Sequence, residues 1–434
     1  MTSSGLLSVR RRAFPLAVAL ALVALVGLLT DTVAAANVLA IAGPGALSII
    51  FPVSGLLMGL SALLQFTSID GRPRLTMIRL VAGICAVAFV ISLAFLATGL
   101  APAVAIGAVW VVGDQFQFLM PLLLWSLAGD VFNTAESKSV YGWILAWTFA
   151  GQIIALAVAT LAPLVSDGSF PLPALLIVNP IAAAVIAIGI PIAMRGKGES
   201  MGQVRRDGLG EAIADAVTFY RKVPTWRALL IGAVITATAG ILGLLAFTTS
   251  GESIIGRDAD ELQFFIAGTT LVLLLLSLAF ETVVQPRLHA RTSTAGLLLV
   301  LPFATVVAGL VLALGAFVGS LPLLAVAMVV MGVPTWTVDE SARQAALTVV
   351  PDQLRARVSF VIDVGRFSVA QIVAGGLLLV GTVLGLAWLS GLLTALLAAI
   401  AIPFGFSVLK TWDASMLNWR LRRRKHTSMP DFED

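Results

Sequence analysis

Cysteine, histidine, tyrosine and charged residues are all scarce in this chain of 434 residues. The one cysteine, Cys85, rules out an intrachain disulfide and a thiol-built metal site. The two histidines, His289 and His426, sit in basic stretches and form neither a His-x-x-x-His pair nor part of a triad. No Gly-x-x-x-x-Gly-Lys-Ser/Thr loop occurs, which excludes an ATPase site of that kind, and no nucleophile stands beside a base. An enzyme, a cofactor and a metal are therefore not expected. Charged residues make up 12% of the chain, about half their share in soluble domains.

What is present is apolar. Such residues make up 59% of the chain, and the mean hydropathy is +1.02. They fall into about twelve stretches, at 13–36, 45–66, 76–99, 102–128, 140–163, 173–194, 227–248, 263–283, 294–317, 321–342, 358–382 and 387–408. A bilayer core about 30 Å thick needs roughly 20 apolar residues in a helix. Of the 27 basic residues, 25 fall in alternate connections, the tails included; Arg257 lies in another connection and Arg366 inside an apolar run. Basic residues stay on the cytoplasmic side, so both tails are expected there, in a bacterial inner membrane. The net charge of +4 and pI near 9.6 then report orientation and contact with anionic lipid, and no nucleic-acid partner is expected. Arg10-Arg11-Arg12 before the first run resembles a signal peptide. The run is long for one, and its removal would leave an odd number of spans, so it is read as the first span.

The expected fold class is an all-α membrane protein of about twelve helices in two bundles of six. The expected divisions are 1–194 and 227–408 for the bundles, 195–226 for a cytoplasmic linker, and 409–434 for a basic tail. Within the linker, Leu209, Ile213, Val217 and Tyr220 share one side of a possible amphipathic helix, which would lie on the membrane surface. The halves look related. Lys138 and Arg357 begin spans five and eleven, and fourteen positions later stand Gln152 and Gln371, an offset of 371 − 152 = 219. Two parallel repeats of this kind are major facilitator architecture.

Two groups of motifs carry resemblances. Asp70-Gly-Arg72-Pro-Arg74, after the second span, looks like a degraded form of the Asp-Arg-x-Gly-Arg-Arg segment of major facilitators; Gln285-Pro-Arg287-Leu-His289-Ala-Arg291 is its counterpart. Asp70, Arg72, Arg74, Lys138, Arg287 and Arg357 would form a cytoplasmic gate, with the acid as a charge latch, or else serve only as topology determinants. Further, Leu124 to Tyr141 followed by Gly151, and Val350 to Asp363, are similar to the ATP/ADP carrier (nucleotide transporter) family. That resemblance implies nucleotide exchange. Its carriers place lysines within the membrane for phosphate, whereas Lys138, Lys197, Lys222, Lys410 and Lys425 all fall in the expected cytoplasmic segments.

Ionisable groups at membrane depth are costly and mark pathways. Asp114 lies mid-span among Trp110, Gln115 and Gln117. It would bind a cation, take up a proton or counter a positive charge, or else be a buried acid bonded to neighbouring hydroxyls and amides. Asp31 faces an outer vestibule or ends a helix at the headgroups. Asp363 and Arg366, three apart, can pair on one helix face, leaving Arg366 to hold an anionic group or to close a structural bridge. Gln152 and Gln371 join these as substrate or coupling candidates. Asp339, Glu340 and Arg343 read as gate or loop residues, and Gly332, Pro334 and Trp336 suggest a broken helix. The expected function is secondary active transport of a small organic solute by alternating access, proton-coupled or by exchange, in a monomer. Alternatives are a nucleotide or nucleoside carrier, and a non-transporting membrane scaffold.

Overall fold

The structure is a computed structural model that describes residues 3–69, 73–132, 134–165, 172–195, 217–347, 350, 358–359, 361–384 and 389–427. Among the described residues, twelve helical segments are long and apolar enough to cross a membrane: α1 Ser8–Ala42, α2 Pro44–Ser61, α3 Arg74–Ala97, α4 Pro102–Val131, α5 Val140–Val165 and α6 Pro173–Ala193; then α7 Pro224–Ile255, α8 Ala259–Val283, α9 Thr294–Val318, α10 Leu321–Leu347, α11 Val361–Val383 and α12 Ser390–Ser415. No strand occurs among the described residues. Helices answer the composition directly, because in hydrocarbon every backbone donor and acceptor must find its partner within its own segment.

The helices gather into two compact units. One holds Met1–Gly208 and Thr248–Val272; the other holds Leu209–Phe247 and Leu273–Asp434. In the first, Gln263 is fully buried and its Nε2 donates to the Ala159 carbonyl at 2.8 Å, which ties α8 to α5.

The first unit is built around α1, which packs on α4, α5 and α6. Two-thirds of the α1 window (67%) is buried, against 22% for α3, so α1 is the interior helix and α3 a peripheral one. Leu80, Ile84, Val87 and Ile91 leave an exposed stripe along α3 at helical spacing, the surface that lipid covers in a bilayer. Close approach depends on small residues. A Cβ on Gly151 would run into the Ala21 carbonyl, so α5 touches the α1 backbone there. In the second unit Gly309 and Ala313 of α9 meet Gly391 and Ala395 of α12 backbone to backbone, a small-xxx-small contact on both sides.

The irregularity expected near Gly332, Pro334 and Trp336 is a π turn, Thr335–Asp339, that begins directly after Pro334. Proline removes one helical donor. Here Thr335 Oγ1 donates to the Met331 carbonyl at 2.8 Å and Thr337 Oγ1 to Val333 at 2.7 Å. A second π turn, Val361–Gly365, opens α11. The helix of α10 also continues past the turn to Leu347, beyond the expected end at 342.

Residues 209–216 of the expected amphipathic helix lie outside the described residues; 217–222 are helical. Val217 is exposed, whereas Tyr220 is buried against Trp226, Leu347, Val358 and Ile362 and donates its hydroxyl to the Val358 carbonyl at 2.9 Å. Tyr220 is therefore a core residue of the second unit and not part of a membrane-surface face, because its ring and its hydroxyl both find partners inside the protein.

Candidate functional site

In the first unit, α1, α2 and α4 bring two carboxyl groups together at membrane depth. Asp31 lies eleven residues before Ala42 and Asp114 twelve after Pro102, so each is roughly 17 Å along its helix from that end. Ser54 of α2 donates its hydroxyl to Asp114 Oδ2 at 2.5 Å, and Gln115 Nε2 donates to the Ser54 carbonyl at 3.3 Å. The Trp110 indole and the Asp114 carboxyl are the neighbours that act on Asp31. Trp110 is itself set by an edge-on contact with Phe51, with centroids 5.5 Å apart.

Small residues allow this convergence. A Cβ on Gly113 would strike Thr30, and one on Gly27 would strike the Gln117 side chain. Gln117 is thus packed over α1, where it helps hold α4 in place. Thr30 accepts from Asn179 Nδ2 at 2.7 Å, which links α6 to the residue before Asp31. Gln115 Oε1 is buried without a hydrogen-bond partner among the described residues, and no ion pair reaches Asp31 or Asp114 among them. The chemistry available is two acids, an amide oxygen and a neighbouring indole, with no ion-paired cation among the described residues, a set suited to positive charge.

The second unit carries a charge network on α10 and α11. Asp339 Oδ2 accepts from Arg343 Nε at 2.9 Å and from Arg366 Nη1 at 3.0 Å. Arg343 Nη1 reaches Asp363 Oδ1 at 2.5 Å, and its Nη2 pairs with Glu340. Asp363 also accepts from Ser359 at 2.7 Å. Two expectations are corrected here. Asp363 and Arg366 do not pair with each other: Asp363 lies in the π turn, whose wider winding takes it out of the i, i+3 register of an α-helix. Nor is Arg343 a loop residue: it is only 3% exposed and is the hub of the network. Asp339 and Arg343, four apart, were a sequence signal for that pair.

The remaining candidates are dispersed. Gln152 and Gln371 are half-buried, each with an Oε1 that has no partner among the described residues. Of the gate residues, Arg74 pairs with Asp130 and donates to Ser126, while Arg287 is exposed and donates to the Val283 carbonyl at 3.3 Å. Asp70, Arg72 and Arg357, and the side chain of Lys138, lie outside the described residues. Sequence reasoning missed Ser54, Asp130 and Glu136, the last paired with Arg12.

No family model matches the chain, and no curated protein is similar to it in sequence. Solved structures are similar over nearly its whole length. A point mutant of the nucleoside transporter NupG has 14% identity and a TM-score of 0.66, covering 92% of this chain and 99% of that one. A bacterial homologue of the iron transporter ferroportin, in an inward-facing state, has 13% identity and 0.66, covering 92% and 98%. A POT family transporter in complex with a thioalcohol-conjugated peptide has 12% identity and 0.66, covering 92% and 96%. The chain has the major facilitator fold. At this identity the likeness shows a multi-pass membrane protein of that fold, and the cargo each title names belongs to that protein alone.

Proposed function

We propose that the protein is a secondary transporter that moves a small organic solute across the membrane by alternating access, with Asp114 and Asp31 as the coupling residues. The observation that carries the reading is the pair of carboxyl groups at mid-span, Asp114 held by Ser54 with Asp31 as its neighbour, and no ion pair to either among the described residues. Ionisable groups at that depth are expensive unless a proton, a cation or a substrate completes them. Transport-protein structures of the same fold support the general class. In this reading the lipid bilayer and a small molecule are the partners, both tails are cytoplasmic in an inner membrane, the protein is a monomer without nucleic acid, and Asp70, Arg72, Arg74, Lys138, Arg287 and Arg357 gate the cytoplasmic side.

The test is uptake into proteoliposomes of a panel of nucleosides, organic acids, sugars, short peptides and organic cations, with and without an imposed pH gradient. Accumulation driven by the gradient in wild type and lost in Asp114→Asn is the expected result. A solute whose accumulation is equal in Asp114→Asn would remove Asp114 from coupling, and no uptake of any solute would favour the scaffold.

A second reading, a nucleoside or nucleotide carrier, rests on the carrier-like segments 124–141 and 350–363 and on the likeness to NupG. Arg343 and Arg366 already engage carboxylates, which weighs against triphosphate cargo. Saturable uptake of a nucleoside with no competition from ATP would decide for the nucleoside form; competition by ATP would restore the nucleotide form.

A further inference from the structure

A cavity of about 40 Å³ lies inside the second unit, lined by residues of α7, α9, α10, α11 and α12. A water molecule needs about 10–15 Å³ measured this way, and pockets for organic ligands run to several hundred. The space therefore suits one small ion or a few waters, and no organic solute. Most of its wall is apolar and small, including Gly232, Ala233, Ala401 and Gly405. Its polar lining among the described residues is Thr236, Asp339, Arg343 and Arg366.

Among the described lining residues two guanidinium groups face one carboxylate, while Glu340 and Asp363 behind the wall bring the network to three carboxylates for two guanidinium groups. Arg343 is satisfied, since its three nitrogens each reach a different carboxylate. Two of those, Glu340 and Asp363, are 53% and 30% exposed and do not line the cavity. Arg366 is not satisfied. It is 4% exposed, shares Asp339 with Arg343, and its Nε–H is buried with no partner among the described residues. The face of its guanidinium is covered by the Phe367 ring, with Cζ 4.4 Å from the centroid, so its free donor lies in the guanidinium plane. A buried cationic donor without an acceptor is costly. Bonds from such donors to an anion are stronger than those to a neutral acceptor.

We propose that this cavity is a binding site for one small monovalent inorganic anion of the chloride class, held by the Arg366 Nε–H with the Thr236 hydroxyl, and that the ion satisfies the donor that the α10–α11 network leaves unpaired. This inference is independent of the transport reading.

The experiment is thermal unfolding of the purified full chain in detergent, with sodium gluconate replaced stepwise by sodium chloride or bromide at constant ionic strength. A ligand bound only by the folded state raises Tm, by roughly 2 °C per tenfold increase above its Kd for a chain of this size. The rise is expected in wild type and is expected to vanish in Arg366→Gln. Should that variant fail to fold, Thr236→Val carries the comparison and must flatten the rise. Equal Tm in gluconate and chloride, or a slope unchanged in the variant that folds, overturns the proposal. Crystals grown in bromide give a second readout: an anomalous peak within hydrogen-bond distance of Arg366 Nε supports the site, and density there without anomalous signal, a water, overturns it.

Discussion

Arg343 and Arg366, on neighbouring helices, donate to the same oxygen, Oδ2 of Asp339, at 2.9 and 3.0 Å. The acid stands on the last residue of one π turn, and Arg366 directly follows the other. The two irregular turns and the bridge thus form one structural element. It joins α10 to α11 through charges that lipid cannot solvate.

Asp339→Asn leaves two buried guanidinium groups around a neutral amide, and removing one partner of a buried pair costs about 3–5 kcal/mol. Glu340, which is 53% exposed, is a control: Glu340→Gln should cost less than about 1 kcal/mol. Denaturant unfolding in detergent, followed by tryptophan fluorescence, compares the two. Equal losses would mean that burial does not set the cost.

Ser54 positions Asp114 through one charge-assisted hydrogen bond, a contact worth about 1.5–3 kcal/mol. Ser54→Ala should therefore lower gradient-driven uptake by about tenfold or more while leaving a measurable rate, and Asp114→Asn should abolish it. A Ser54→Ala protein indistinguishable from wild type in initial rate would show that the hydroxyl does not position the acid.

On α5, Gly151 presses on the Ala21 carbonyl whereas Gly142 faces open space. Gly151→Ala should destabilise the protein by about 1–3 kcal/mol, because backbone cannot yield as a side chain does. Gly142→Ala should be neutral or stabilising by up to about 1 kcal/mol through helix propensity. Melting temperatures of the two variants test the α1–α5 approach, and the reverse order would refute it.

The Tyr220 phenol, outside the membrane-spanning segments, is pushed up from its ordinary value by burial and by the Asp363 carboxylate. A raised folded pKa for this acid means that its contribution is fully present below the unfolded value of about 10 and is lost as pH rises beyond it. Wild type should lose stability between pH of about 10 and 11 more steeply than Tyr220→Phe, which lacks the titrating group. The variant should also lose about 0.5–1.5 kcal/mol at neutral pH with its bond to Val358. Parallel Tm-against-pH curves would show that the phenol ionises freely.

The twelve spans and the depth of Asp114 were legible in the sequence, because both follow from local quantities: run length, hydropathy, and where charge interrupts an apolar stretch; Asp31, expected at the outer vestibule or at a helix end, lies instead well inside α1, eleven residues before Ala42. Trp110 and Gln115 were visible too, being neighbours of Asp114 in the chain. Ser54 was not, since nothing in α2 marks one serine among several; only the packing of α2 against α4 selects it. Pairing on α10 and α11 was misread for a related reason. A regular helix would set Asp363 beside Arg366, but the π turns rewind both segments, and charge then pairs across the two helices. The sequence by itself determined that these ionisable groups must lie inside a membrane and need partners. Which partners they found was decided by tertiary structure, because a buried charge is satisfied by whatever lies nearest in space, and distance along the chain does not record that.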